Sequence, residues 1–244
     1  MQIDALAVRL RPRTPFESVD LGLRLCQHAA RSIYPCYALV ALPVAVLALA
    51  TSELAAWLPI LVLWWAKPWL DRTILFVLSR AAFGQRTTPR DVLTAQRHVW
   101  WRQLLFTCTV QRLSLWRSLT APVYQLEGLS LRQARHRVGH IRRRTAGPAA
   151  MVTAAFATAE ASLLMALISL AFWMAPAGRT PDVFTVMAGE DSGFVAIVIA
   201  VAYALTVMFL EPFFVAAGFA MYMNRRAELE AWDIEQEFRR AFTH

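Results

Sequence analysis

The chain has 244 residues, 57% hydrophobic and only 17% charged, against roughly 45–50% and about 25% in a soluble domain. With a mean hydropathy of +0.41, nine Trp and fourteen Phe, this composition excludes a disordered chain, a collagen-like fibre and a disulfide scaffold, and predicts a membrane protein. Lys+Arg outnumber Asp+Glu by 25 to 17, a net charge of +8, and a basic, apolar chain faces anionic lipid with its cytoplasmic side.

Lys67 is the only lysine, and the arginine bias points to a GC-rich, bacterial genome. No recognition motif accompanies the charge, so nucleic acid is not expected as a partner. Cys26, Cys36 and Cys108 have neither disulfide parity nor metal spacing and read as small apolar residues.

In chain order, Thr14-Pro15-Phe16-Glu17 is a helix start: Thr as N-cap, Pro in the first turn, Glu three residues after the cap. The helix that follows has an apolar stripe (Phe16, Val19, Leu23, Cys26, Ala30) and a polar one (Glu17, Asp20, Arg24, His28, Arg31). That predicts a helix at the membrane surface or packed on a cytoplasmic domain. A signal peptide would put its apolar run directly after Arg9, Arg11 and Arg13.

Four apolar stretches follow, at about Ile33–Thr51, Leu54–Phe83, Pro148–Ala175 and Phe194–Met223. A span needs roughly 20 apolar residues, so the first and third qualify directly. The second and fourth are longer and carry Lys67-Pro68 and Glu211-Pro212. Pro68 and Pro212 are expected to kink them, because proline removes an N–H and crowds the preceding turn. The second stretch reads either as one kinked helix or as two re-entrant halves.

Between the two pairs, Gln85–Gly147 holds twelve arginines against Asp91 and Glu127. The positive-inside rule places this region and both termini in the cytoplasm of a bacterial inner membrane. Thr88-Pro89-Arg90-Asp91 opens one helix there, and Ser130 with Gln133 forms a capping box for another. Trp100, Trp101 and Trp116 beside arginines suit the headgroup region. In the second helix Leu131, Ala134, Val138 and Ile141 form one face. Arg132, Arg135, Arg142, Arg143 and Arg144 form a face for anionic phospholipid headgroups. The end of the chain, Asn224–Phe242, is predicted helical with Ala227, Ala231, Ile234 and Phe238 as its stripe.

The expected fold is therefore all-α and polytopic, with four transmembrane helices and amphipathic interfacial helices. It divides into a first hairpin unit (1–84), an Arg-rich cytoplasmic region (85–147), a second hairpin (148–223) and a cytoplasmic end (224–244). Residues 14–84 and 130–226 share an order of elements: capped helix, plain span, long span broken by a charge before proline. They read as a parallel repeat with its axis along the membrane normal, or as two ordinary hairpins.

Lys67, Asp71, Arg72, Glu160 and Glu211 are ionisable residues inside apolar stretches, each costing roughly 2.5–3.5 kcal/mol on insertion scales, so partners are expected. Lys67 and Asp71 are four apart, and Glu160 and Glu211 sit at similar depth on other spans. The reading is an interhelical polar cluster that either locks packing or serves a solute or proton. The alanines from Ala154 to Ala161 allow close helix approach within or between chains. No nucleotide loop, nucleophile elbow or zinc-protease motif is present. His136 and His140 are four apart but lack a third ligand. The expectation is no enzyme, no metal and no cofactor.

Several segments carry a resemblance: 13–22, Leu63-Trp64-Trp65-Ala66-Lys67-Pro68-Trp69-Leu70-Asp71-Arg72, Leu78-Ser79-Arg80, 124–129 and Tyr222-Met223-Asn224-Arg225-Arg226 through Trp232-Asp233-Ile234-Glu235. Together they resemble an uncharacterised family of bacterial multipass inner-membrane proteins. The closing pattern is also similar to the membrane domain attached to some glycerophosphodiester phosphodiesterases, though no catalytic residue of those enzymes has a counterpart. The resemblance implies a non-enzymatic membrane scaffold or partner subunit, bound to a membrane-protein partner or to its own copies. The alternative is a small transporter or lipid-handling protein using Lys67, Glu160 and Glu211.

Overall fold

The computed structural model describes residues 13–101, 104–174 and 192–230, all of them helical or in turns and connections, with no strand among them. Helix α1 runs Pro15–Ala50. Its cap is reciprocal: the Thr14 N–H donates to Glu17 Oε2 at 3.2 Å and the Glu17 N–H to Thr14 Oγ1 at 3.3 Å. The amphipathic segment and the first apolar stretch are one helix, because nothing between Arg31 and Ile33 terminates it. At 36 residues it is about 54 Å long, well beyond an apolar thickness of roughly 30 Å. A 3₁₀ turn at Thr51–Glu53 leads into α2, Leu58–Ala81, which passes unbroken through Lys67-Pro68. Among the two alternatives for the second stretch, the structure forms the single helix.

The connecting region holds α3 (Pro89–Thr94), a π turn (Arg97–Trp101), α4 (Leu104–Cys108), α5 (Arg117–Leu126) and α6 (Leu131–Arg142). Then come α7, Ala146–Trp173, and α8, Ser192–Glu230, with Pro212 inside it. The predicted closing helix is continuous with α8 as far as Glu230. Its remainder, like the N-terminal arginines before Arg13 and the loop 176–191, lies outside the described residues.

Helix α8 is the hub. It packs along α1 and also touches α2, α5 and α7. Its direction follows from paired residues. Arg13 and Tyr34 of α1's side meet Asn224 and Phe209, so α1 and α8 are antiparallel. Phe156 of α7 meets Phe214 while Leu164 packs near Tyr203 and Ala204, so α7 is antiparallel to α8 too. Leu63 packs near Tyr203 and Val207 and Lys67 meets Glu211, so α2 runs parallel to α8.

Small residues set the tightest contacts. A Cβ on Gly22 would collide with the Ala216 carbonyl, and one on Gly218 with the backbone and side chain of Ser118. The fully buried line of α1 is Ser18, Gly22, Cys26 and Ile33. Val19, Leu23 and Ala30 of the expected stripe are half-buried beside it, Phe16 is exposed, and the expected polar residues Glu17, Asp20, Arg24, His28 and Arg31 are all exposed.

Three helices are long and apolar enough to cross a membrane: Pro15–Glu53, Ala146–Trp173 and Val195–Leu229. Helix α2 falls short on composition because Lys67, Asp71 and Arg72 lie within it, yet all three are buried. From Leu70 to Leu75 every residue is buried, so Asp71 and Arg72 face protein.

Candidate functional site

Four elements converge on a cluster of charges around Lys67. Its Nζ lies 2.7 Å from Glu160 Oε2 on α7 and 2.9 Å from Glu211 Oε2 on α8. The other oxygen of Glu211 accepts from the Arg117 guanidinium. Arg117 Nε lies 3.1 Å from Asp71 Oδ2. The result is a chain of charges, Glu160–Lys67–Glu211–Arg117–Asp71, tying α7, α2, α8 and α5. Helical rise puts Glu160 and Glu211 about 20–27 Å from either end of the long apolar helices Ala146–Trp173 and Val195–Leu229, near the middle of each. The sequence expectation that Lys67, Glu160 and Glu211 share a layer corresponds to this cluster. Asp71 is drawn to Arg117 and not to Lys67, its neighbour four residues back.

Arg72 belongs elsewhere. Its guanidinium donates to the Val99 carbonyl and, at 2.8 Å, to Thr107 Oγ1, pinning the connecting region to α2. Trp100 Nε1 donates to Thr73 Oγ1 at 3.1 Å, and Gln125 Nε2 donates to the Arg72 carbonyl at 2.8 Å. The region read from sequence as lying on the surface therefore differs in its middle. Helices α4 and α5 form a short hairpin that enters the bundle, with Phe106 against Tyr124 across it. Thr107, Gln111, Arg117 and Leu119 are buried. The turn between them reaches Trp64, over whose ring the Arg112 guanidinium stacks at 3.4 Å. It is anchored to α7 by Thr153 Oγ1 donating to the Leu115 carbonyl at 2.7 Å. Arg117 was one arginine among twelve in a basic loop; the one local signal that set it apart is its place between apolar Leu115-Trp116 and Leu119.

Beside the ion chain lies a cavity of about 210 Å³. Lys67, Arg112, Arg117, Glu160 and Glu211 line it together with Trp64, Phe156, Leu210 and Phe214. The side chain of Glu160 keeps 24% of its surface exposed, while those of Lys67, Asp71, Arg117 and Glu211 keep 8% or less. The ion chain is thus sealed except at its Glu160 end.

The arginines read as a lipid face behave unequally. Arg132, Arg135, Arg143 and Arg144 are exposed. Arg142 is half-buried and stacks at 3.6 Å over Trp116, whose Nε1 donates to the Ala146 carbonyl. Arg135 lies 5.7 Å from the Phe106 ring centre. Ala134, Val138 and Ile141 turn inward, while Leu131 is exposed. His136 and His140 meet edge to face at 4.7 Å, and among the described residues no group of three metal-ligating side chains forms. The thiols of Cys26, Cys36 and Cys108 are free.

Outside the spans, Asp91 accepts from the Thr88 N–H at 2.8 Å and from its hydroxyl at 3.0 Å. These bonds favour the ionised form and hold the carboxyl below its usual range. No protein-family model, curated protein or solved structure matches this chain.

Proposed function

We propose that the protein is a four-span bacterial inner-membrane scaffold, or partner subunit of a membrane complex, that acts without catalysis. The observation that carries this reading is the closed ion chain. Lys67 and Arg117 are each held between two carboxylates, an arrangement that fixes four helices and leaves four of the five groups almost without solvent. A transport path needs its charges to be reached alternately from two sides; these charges are spent on one another. Removing one partner would strand a buried ion, at a cost of roughly 3–5 kcal/mol.

The fourth span is α2. Its 24 residues reach about 36 Å, and Lys67, Asp71 and Arg72 are met by α7, α8, α5 and the connecting region. The alternating directions of α1, α2, α7 and α8 fit an up-and-down bundle with both ends of the chain in the cytoplasm. They also fit a parallel repeat in which Lys67-Pro68 and Glu211-Pro212 are equivalent and meet face to face. The outward face of α7, whose central apolar stretch has no fully buried residue, is the side offered to lipid, a partner or a second copy. The resemblance to an uncharacterised bacterial inner-membrane family agrees with this reading.

The test is purification in nanodiscs followed by native mass spectrometry of wild type and Glu211→Gln. A stoichiometric protein partner or homo-oligomer in wild type supports the scaffold. A monomer from its own membrane, with solute uptake that vanishes in Glu211→Gln, overturns it in favour of a small transporter.

A further inference from the structure

The ion chain leaves one basic group over. Arg112 lines the same cavity as Glu160, and no carboxylate lies within salt-bridge distance of it among the described residues. Its guanidinium rests on the Trp64 ring, and its Nε is buried with no hydrogen-bond partner among the described residues. A cation–π contact offsets part of a guanidinium's desolvation, but it satisfies none of the five N–H donors. Glu160, which lines the same cavity, is the one carboxylate of the cluster that keeps a sizeable part of its surface exposed. Of the charged groups that line the cavity, Arg112 alone has no carboxylate partner among the described residues and Glu160 alone keeps a sizeable part of its surface exposed. An anion would answer only the first and a cation only the second. A zwitterion would answer both.

We infer that this cavity holds the headgroup of a zwitterionic phospholipid, with its phosphate on Arg112 and its ammonium toward Glu160. Apolar surface for the acyl chains adjoins it: Leu113 and Leu115 at the hairpin turn are exposed, as are Met151 and Met165 on α7. The headgroup is drawn below the level of its leaflet because the α4–α5 hairpin carries Arg112 into the bundle. The lipid acts as a resident part of the structure, filling the gap between the hairpin turn and α7. This inference rests on the membrane-spanning reading and not on the partner. Extraction by alkaline carbonate without detergent would defeat the membrane reading separately.

The experiment is reconstitution of the full chain in nanodiscs containing equal amounts of phosphatidylethanolamine and phosphatidylglycerol. Mild detergent washing and quantification of the lipid retained per chain follow. Wild type should retain about one phosphatidylethanolamine, favoured by about tenfold, the factor that corresponds to one charge-assisted contact. Arg112→Gln should lower retention of both lipids. Glu160→Gln should abolish the preference while leaving phosphatidylglycerol bound. Glu53→Gln, which removes an exposed charge away from the cavity, should change neither. Equal retention of the two lipids by wild type overturns the proposal without recourse to any variant. So does undiminished retention in Arg112→Gln. Displacement of the lipid by soluble phosphoethanolamine at millimolar concentration would reassign the site to a free headgroup compound and likewise overturn it.

Discussion

Glu211 carries two cations, and this limits what a charge swap can do. Exchanging Lys67 and Glu211 would place the new lysine against Arg117, so the double reversal should not recover what either single change loses. Neutralisation is the better test. Lys67→Met leaves Glu160 and Glu211 without their shared cation and should cost roughly 3–5 kcal/mol, read as a lower midpoint of thermal unfolding in detergent. Adding Glu160→Gln removes one stranded charge and should restore part of the loss. At the surface, Asp91 offers a milder case. Its carboxyl is depressed by the Thr88 bonds, so its contribution is present above the unfolded pKa and disappears as pH falls through the folded one. Thr88→Ala should return the Asp91 titration toward the ordinary carboxyl value, as followed by its side-chain carbon shift.

Among the elements, some starts were legible and some destinations were not. Thr14, Thr88 and Ser130 each open the helix their spacing announces, because a cap is a local bargain between four consecutive residues. Thr14→Ala should therefore cost about 1 kcal/mol, visible as faster amide exchange in the first turn of α1. The fate of Arg117 was not legible in the same way. Its partners, Asp71 and Glu211, are 46 and 94 residues away in the chain, and a basic loop gives no local sign that one of its arginines turns inward. The pairing of Lys67 with Glu160 and Glu211 was within reach because each stands alone in an apolar run, where a charge must find company. The two faces of α1 were legible apart from Phe16, which is exposed, but hydrophobic periodicity cannot see that Ser18 and Gly22 make the tightest contact, where Gly22 is wanted for its missing Cβ. The α5–α8 contact depends on another such position. Gly218→Leu puts a side chain into the backbone of Ser118 and should displace α5 and, with it, Arg117. A loss of stability comparable to that of Arg117→Met would show that the two act through one contact.

For the molecule as a whole, hydropathy and charge lead to one orientation, and the bundle's alternating directions are consistent with it. Cysteine substitutions at Ser52 and Arg144, in a background with Cys26, Cys36 and Cys108 replaced by Ala or Ser, would map it. A membrane-impermeant maleimide should label position 52 from outside intact cells and position 144 only after the membrane is opened. Labelling of both from the same side would contradict an up-and-down arrangement of α1, α2 and α7.

The clasp at the base of the bundle bears on how the protein could be built into a larger assembly. The Arg13 N–H donates to Asn224 Oδ1 at 3.0 Å, and Asn224 Nδ2 donates back to the Arg13 carbonyl at 2.9 Å. This asparagine imitates a backbone amide and fastens the start of α1 to the last turns of α8. Two modules fused ahead of Arg13 and behind Glu230 would thus be tethered to a single anchorage point. They would meet at the high effective concentration of an intramolecular pair.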